Sequence, residues 1–174
     1  MNAHKTLVSV VAGLVVTGLA SSAMALDGYR ERKGLFYGAA VGFGVGRPDV
    51  DGAENEVGVN LRARVGGGVT SQLTLDAELG LAKQIDIETN LVTGFIGASF
   101  FLVDGLYLKG MGGIAHIAPD QGDSSTGLGI GAGVGYEFFA NADLAVGVGA
   151  DYQRHFYDHF DFGLMNFGVT VTVY

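Results

Sequence analysis

The segments VGVNLRARVG (57–66) and LTLDAELGL (73–81) decide the fold. In the first, Val57, Val59, Leu61, Ala63 and Val65 alternate with Gly58, Asn60, Arg62, Arg64 and Gly66. In the second, Leu73, Leu75, Ala77, Leu79 and Leu81 alternate with Thr74, Asp76, Glu78 and Gly80. A period of two is that of an extended strand, whose successive side chains point to opposite faces. The short connection at 69–72 makes the two an antiparallel hairpin. One face is continuously apolar, while the charges share the other with glycines. A soluble barrel turns its apolar face inward. Here the charged, glycine-rich face is the one that fits a narrow interior, and the apolar face is left to meet lipid.

Six further runs repeat the pattern. Leu35, Tyr37, Ala39, Val41, Phe43 and Val45 alternate with Phe36, Ala40 and four glycines. In the run from Asn90 to Leu102 both faces carry aromatics, and Ile96, Ala98, Phe100 and Leu102 form the more apolar row. Leu106, Leu108 and Ile114 oppose Tyr107, Lys109 and Met111; Leu128, Ile130, Ala132, Val134, Tyr136 and Phe138 oppose Gly129, Gly131, Gly133, Gly135 and Glu137. Leu144, Val146, Val148, Ala150 and Tyr152 oppose Gly147, Gly149, Asp151 and Gln153. Met165, Phe167, Val169, Val171 and Val173 oppose Asn166, Gly168, Thr170 and Thr172. Eight strands is an even number, as antiparallel closure requires. Connections at 69–72, 103–105 and 140–143 read as tight. Those at 47–56, 83–89, 117–126 and 156–161 read as longer and mostly acidic, and Pro48 and Pro119 are placed in them.

Composition narrows the function classes. Thirty glycines accompany 48% hydrophobic and only 16% charged residues, too few charges for a water-exposed surface. The absence of Cys excludes a disulfide scaffold, a thiolate zinc site, a Cys nucleophile and a lipoprotein anchor. The net charge of −8 argues against nucleic acid. Residues 1–25 read as a secretory signal peptide, with Lys5, an apolar run from Leu7 to Leu19, and Ala23-Met24-Ala25 as the small-x-small cleavage signal. Cleavage after Ala25 leaves one domain, 26–174.

This pattern resembles the family of eight-stranded outer-membrane barrels typified by the OmpA membrane domain and OmpX, over essentially the whole of Leu26 to Tyr174. The resemblance implies an all-β, eight-stranded antiparallel up-and-down transmembrane barrel in the outer membrane of a Gram-negative bacterium. Such barrels usually end on an aromatic that continues the lipid-facing row. Here Tyr174 lies out of phase with Val173, Val171, Val169 and Phe167.

The inward row supplies the candidate site. Arg62 and Arg64 lie opposite Asp76 and Glu78 on neighbouring strands, so cross-strand pairs are expected; Lys109 with Glu137, and Asp151 farther round, extend the network. In so narrow a barrel the network reads as a plug closing the lumen, with an ion or proton path as the alternative. The glycines at 129, 131, 133 and 135 are spaced by two and are not a nucleotide loop; they keep one lumen wall thin. The first outer loop gathers Asp49, Asp51, Glu54 and Glu56, where divalent cations shared with lipopolysaccharide phosphates would relieve repulsion. His116, His155 and His159 are read as mouth residues, the last two beside Asp158 and Asp161, with no metal site fixed by spacing. His116, Asp120 and Ser124 lack the geometry of a hydrolytic triad, and the His-x-Ser pattern of lipid A deacylase barrels is missing.

The expectation is therefore a non-enzymatic envelope protein with no cofactor. It is monomeric, set among outer-membrane lipids and lipopolysaccharide, and delivered by the barrel-assembly machinery. A lipid A-modifying enzyme, a narrow solute pathway and an adhesin are the rivals. Tyr37, Phe100, Tyr136 and Phe138 are expected at the periplasmic interface, and Phe43 and Tyr152 at the outer one.

Overall fold

The computed structural model describes residues 32–50, 52, 54–85, 89–103, 105–120 and 123–174. The signal-peptide expectation and the domain boundary at residue 26 lie outside the described residues. Eight strands follow one another: β1 Gly34–Pro48, β2 Glu56–Gly68, β3 Leu73–Gln84, β4 Thr89–Val103, β5 Leu106–Pro119, β6 Ser125–Phe139, β7 Leu144–Phe156 and β8 Asp161–Val173. Each pairs antiparallel with the next, and β8 returns to β1 from Tyr37↔Val173 to Pro48↔Phe162, closing the barrel.

Burial is inverted relative to a water-soluble protein. Leu35 is 84% exposed, Ile96 74% and Leu128 67%, whereas Glu137 and His155 are 0% exposed. The apolar row of every strand thus points outward, and closure leaves no strand edge whose unpaired amides would face hydrocarbon. β4, with aromatics on both faces, resolves by the same parity. Ile96, Phe100 and Leu102 face out, and Leu91, Phe95 and Phe101 fill the interior.

Two expectations about connections are corrected. The strands run farther than the apolar alternation does, so the connections expected to be long shrink to 49–55, 85–88, 120–124 and 157–160, of which 49–55 and 120–124 still exceed the turns at the other end. The polar residues at strand ends keep ladder hydrogen bonds even where hydrophobic patterning has stopped. Pro48 and Pro119 are the last residues of β1 and β5, not loop residues. Proline lacks an N–H, and a strand end is where the ladder tolerates that.

The turns beside the termini are held by side chains. Thr70 Oγ1 accepts from the amides of Gln72 and Leu73, and Asn141 Oδ1 from those of Asp143 and Leu144. Gly105, at φ 97°, sits where a Cβ would strike the Glu137 carbonyl oxygen.

Candidate functional site

The interior is stacked in two zones. Toward the outer end, Leu91, Ala115, Ile117, Tyr157, Phe162 and Leu164 form an apolar cluster inside the barrel. His155 belongs to this zone. It is fully buried, with its ring stacked 6.1 Å from Phe162, tilted 6.1 Å from Phe95 and edge-on 6.3 Å from Tyr157. The mouth placement expected for it is therefore corrected: β7 continues to Phe156 and carries His155 inward in phase with Asp151 and Gln153. Burial without a charged partner pushes the Tyr157 hydroxyl well above its usual range.

The charged zone fills the barrel from its middle toward the end that holds both termini. Arg62 Nη1 donates to Asp151 Oδ2 at 2.6 Å and lies 3.6 Å from Glu78 Oε1. Lys109 Nζ donates to Asp76 Oδ2 at 3.1 Å and Glu78 Oε2 at 2.8 Å. Arg64 Nη2 donates to Glu137 Oε2 at 3.2 Å and also to Thr172 Oγ1. Asp151 Oδ1 accepts from Gln153 at 2.8 Å and from Asn166 at 2.9 Å, and Asn60 donates to Asn166 at 3.0 Å. All seven expected charges face the lumen, in two groups: Arg62, Asp76, Glu78, Lys109 and Asp151 are joined in one, and Arg64 pairs with Glu137 in the other.

Arg62 with Glu78 is one of the cross-strand pairs expected, and the other partners differ. Arg64 does lie opposite Glu78 in backbone register, yet its guanidinium reaches Glu137, and Glu137 is not Lys109's partner. Register fixes Cα positions between adjacent strands. Long inward side chains converge on the barrel axis instead, where β6 and β7 are within reach of β2. Lys109, from β5, already occupies both acids of β3.

Two further participants lie at the termini's end: Arg32 precedes the alternating runs, and Tyr174 continues the inward row of Thr170 and Thr172. Arg32, just before β1, donates through Nε to Glu137 Oε1 at 3.2 Å, with its guanidinium 4.0 Å from the Phe101 ring centroid and 5.2 Å from that of Phe139. Tyr174 explains its own phase: it turns inward, donates to Glu137 Oε1 at 2.6 Å, and packs 5.4 Å from both Phe36 and Phe139. Burial, reinforced by the neighbouring Glu137 charge, raises the Tyr174 hydroxyl far above the ordinary tyrosine range.

Two small cavities lie among these side chains. A cavity of about 30 Å³ lies between Arg62, Arg64, Lys109, Glu78 and Asp151, and another of about 10 Å³ adjoins Asn60 and Asn166. These have room for a few water molecules and not for a continuous hydrated column. The glycine wall of β6 makes the filling possible. A Cβ at Gly129 would lie 2.7 Å from the Phe95 ring, and one at Gly135 would overlap Tyr107.

The other candidates do not assemble. Asp49 is engaged by Arg154 at 2.8 Å, Glu56 is a buried residue of β2, Glu54 is exposed, and Asp51 lies outside the described residues. The expected acidic cluster is thus dispersed, because β2 begins one residue earlier than the alternation and turns Glu56 inward. His116 faces outward on β5, its Nδ1 2.8 Å from Thr126 Oγ1. Among the described residues no group of three or more acidic or imidazole side chains is arranged to hold a metal.

No protein-family model matches the sequence, and no curated protein matches it. Solved structures do match in fold. The chain is similar to Neisserial surface protein A with a TM-score of 0.67 and 16% identity, covering 81% of this chain and 99% of that one. Ail of Yersinia pestis, solved with the heparin analogue sucrose octasulfate, gives 0.57 and 17% over 79% and 98%. The outer membrane protein OprG of Pseudomonas aeruginosa gives 0.50 and 9% over 83% and 98%. With its apolar exterior, ion-paired interior and closed antiparallel sheet, the chain has the fold of the small eight-stranded outer-membrane β-barrels.

Proposed function

We propose that this protein is a non-enzymatic, monomeric barrel that contributes to outer-membrane integrity as a sealed, rigid body among the lipids, installed by the barrel-assembly machinery after loss of residues 1–25. The observation that supports it is the filled lumen: Arg62, Arg64, Lys109 and Arg32 are paired with Asp151, Glu137, Asp76 and Glu78 around cavities of only about 30 and 10 Å³. A conducting pore needs a hydrated path, and here the charges that would line one neutralise each other instead. The heparin analogue named for the Ail structure is not carried over to this chain.

Reconstitution in planar bilayers tests the sealed lumen, and the expected trace shows no stable conductance step. Steady single-channel current from the wild type would reject it. For the cellular role, removal of the chain should raise envelope sensitivity to detergents and bulky antibiotics; an unchanged envelope would reject it. Mass analysis of lipid A incubated with the folded barrel should show no product, and a mass change would assign the enzymatic alternative instead.

A further inference from the structure

A sealed interior leaves the outer wall as the surface where this chain meets other molecules, and that wall is uneven. On β2, β3 and β4, Ala63, Ala77 and Gly94 lie among Val65, Leu79 and Ile96 and together line a groove of about 470 Å³. The register builds it. Ala63, Leu79, Gly94 and Ile114 form one row across the sheet, and Val65, Ala77, Ile96 and Gly112 the next, so small and large residues alternate in both directions.

Nothing inside the barrel demands these gaps. A Cβ on Gly94 would meet only Ile114 Cγ1 at 3.7 Å, and one on Gly110 would meet nothing within 4 Å. The inward Gly113 is different, since a Cβ there would strike the Gly94 carbonyl oxygen and Phe95. Glycine in a strand interior carries an entropic cost, and here no internal contact offsets it.

A cation stands at the outer end of the same face. Lys83 continues the outward row of β3 beyond Leu79 and Leu81, with Asn90 opposite it on β4 and His116 on the neighbouring β5. Lys83 makes no ion pair among the described residues. From Leu79 to Lys83 the strand rises roughly 13 Å, or about 10 Å along the membrane normal at the usual barrel tilt. The groove therefore lies about 10 Å from the ammonium along the normal, an offset that matches an acyl chain beneath a lipid phosphate.

We propose that this face binds one phosphorylated acyl glycolipid of the outer leaflet, lipid A, with a phosphate on Lys83, hydrogen bonds from Asn90 and His116, and an acyl chain in the groove. The inference rests on the reading that the end holding the termini faces the periplasm. It does not depend on whether the lumen conducts.

The test uses native mass spectrometry of the full folded barrel in detergent, titrated with lipid A bisphosphate and with lipid A stripped of both phosphates. The wild type should retain one lipid A and bind the stripped form about fivefold more weakly. Lys83→Gln should erase that preference, and Gly94→Leu should weaken both ligands by filling the groove. Heat-modifiable mobility checks that each variant is folded, and Ala77→Leu fills the groove from the next strand should Gly94→Leu fail to fold. The proposal is overturned by equal affinity of wild type and filled variants, by no phosphate preference in the wild type, by phosphatidylethanolamine binding as tightly as lipid A, or by a second copy of the chain occupying the face. A bilayer current would reject the sealed-lumen reading alone, so the two failures are separable.

Discussion

Arg32, Arg64, Thr172 and Tyr174 all donate to the carboxylate of Glu137, which is itself wholly buried. Losing the acceptor strands two guanidinium groups in a lumen with little water to solvate them. Glu137→Gln should lower unfolding free energy by about 3 to 5 kcal/mol, read from heat-modifiable mobility against urea. The exchange Arg64→Glu with Glu137→Arg should recover part of the loss of either single change, while Arg64→Glu with Glu78→Arg should recover less. Equal recovery in both doubles would contradict the pairing described. Tyr174 adds a pH dependence. Its hydroxyl titrates higher in the folded barrel than in the unfolded chain, so its contribution is intact below about pH 10 and falls as pH rises beyond it. Tyr157 acts in the same direction. Urea midpoints should therefore drop between about pH 10 and 12, and less steeply in a Tyr157→Phe, Tyr174→Phe double variant.

Within a strand, the same residue type has opposite meanings on its two faces. Gly135 faces in against the Tyr107 ring, while Gly110 faces lipid with nothing near it. Gly135→Ala should cost about 1 to 3 kcal/mol through overpacking, with partial rescue by Tyr107→Leu. Gly110→Ala should be neutral or stabilising by up to about 1 kcal/mol. A similar urea shift for both would remove the distinction. Parity of this kind was legible in the sequence, because the two-residue period is fixed by backbone geometry wherever one face is apolar. Strand ends were less legible. His155 continues the inward row of Asp151 and Gln153, and that signal was available, but the adjoining Tyr157-Asp158-His159 reads as loop and masks it.

At the level of the whole barrel, which charges share the lumen could be read from the sequence, but of their contacts only the adjacent-strand pair Arg62 with Glu78. Adjacent-strand neighbours follow from turn length, whereas contacts across the axis depend on the stagger of the closed sheet, which no local pattern encodes. Arg32 was invisible for a related reason: it precedes the first alternating run and acquires its place only when Phe101 and Phe139 form the mouth around it. Outer-membrane fractionation with a heat-dependent gel shift is the expected behaviour of the assembled molecule, and recovery as a soluble periplasmic protein would contradict the lipid-facing assignment.

Glu137 ties together the residue before β1, a side chain of β2 and two residues at the end of β8, from a position on β6. No consecutive pair of strands can satisfy it. A sheet with seven strands in place still lacks Thr172 and Tyr174, and its Arg32 and Arg64 have no wall to reach across to. The carboxylate thus acts as a latch that engages only when the first and last strands meet. A sheet short of closure leaves that charge without its full set of donors, and this difference favours the finished cylinder over partly closed forms.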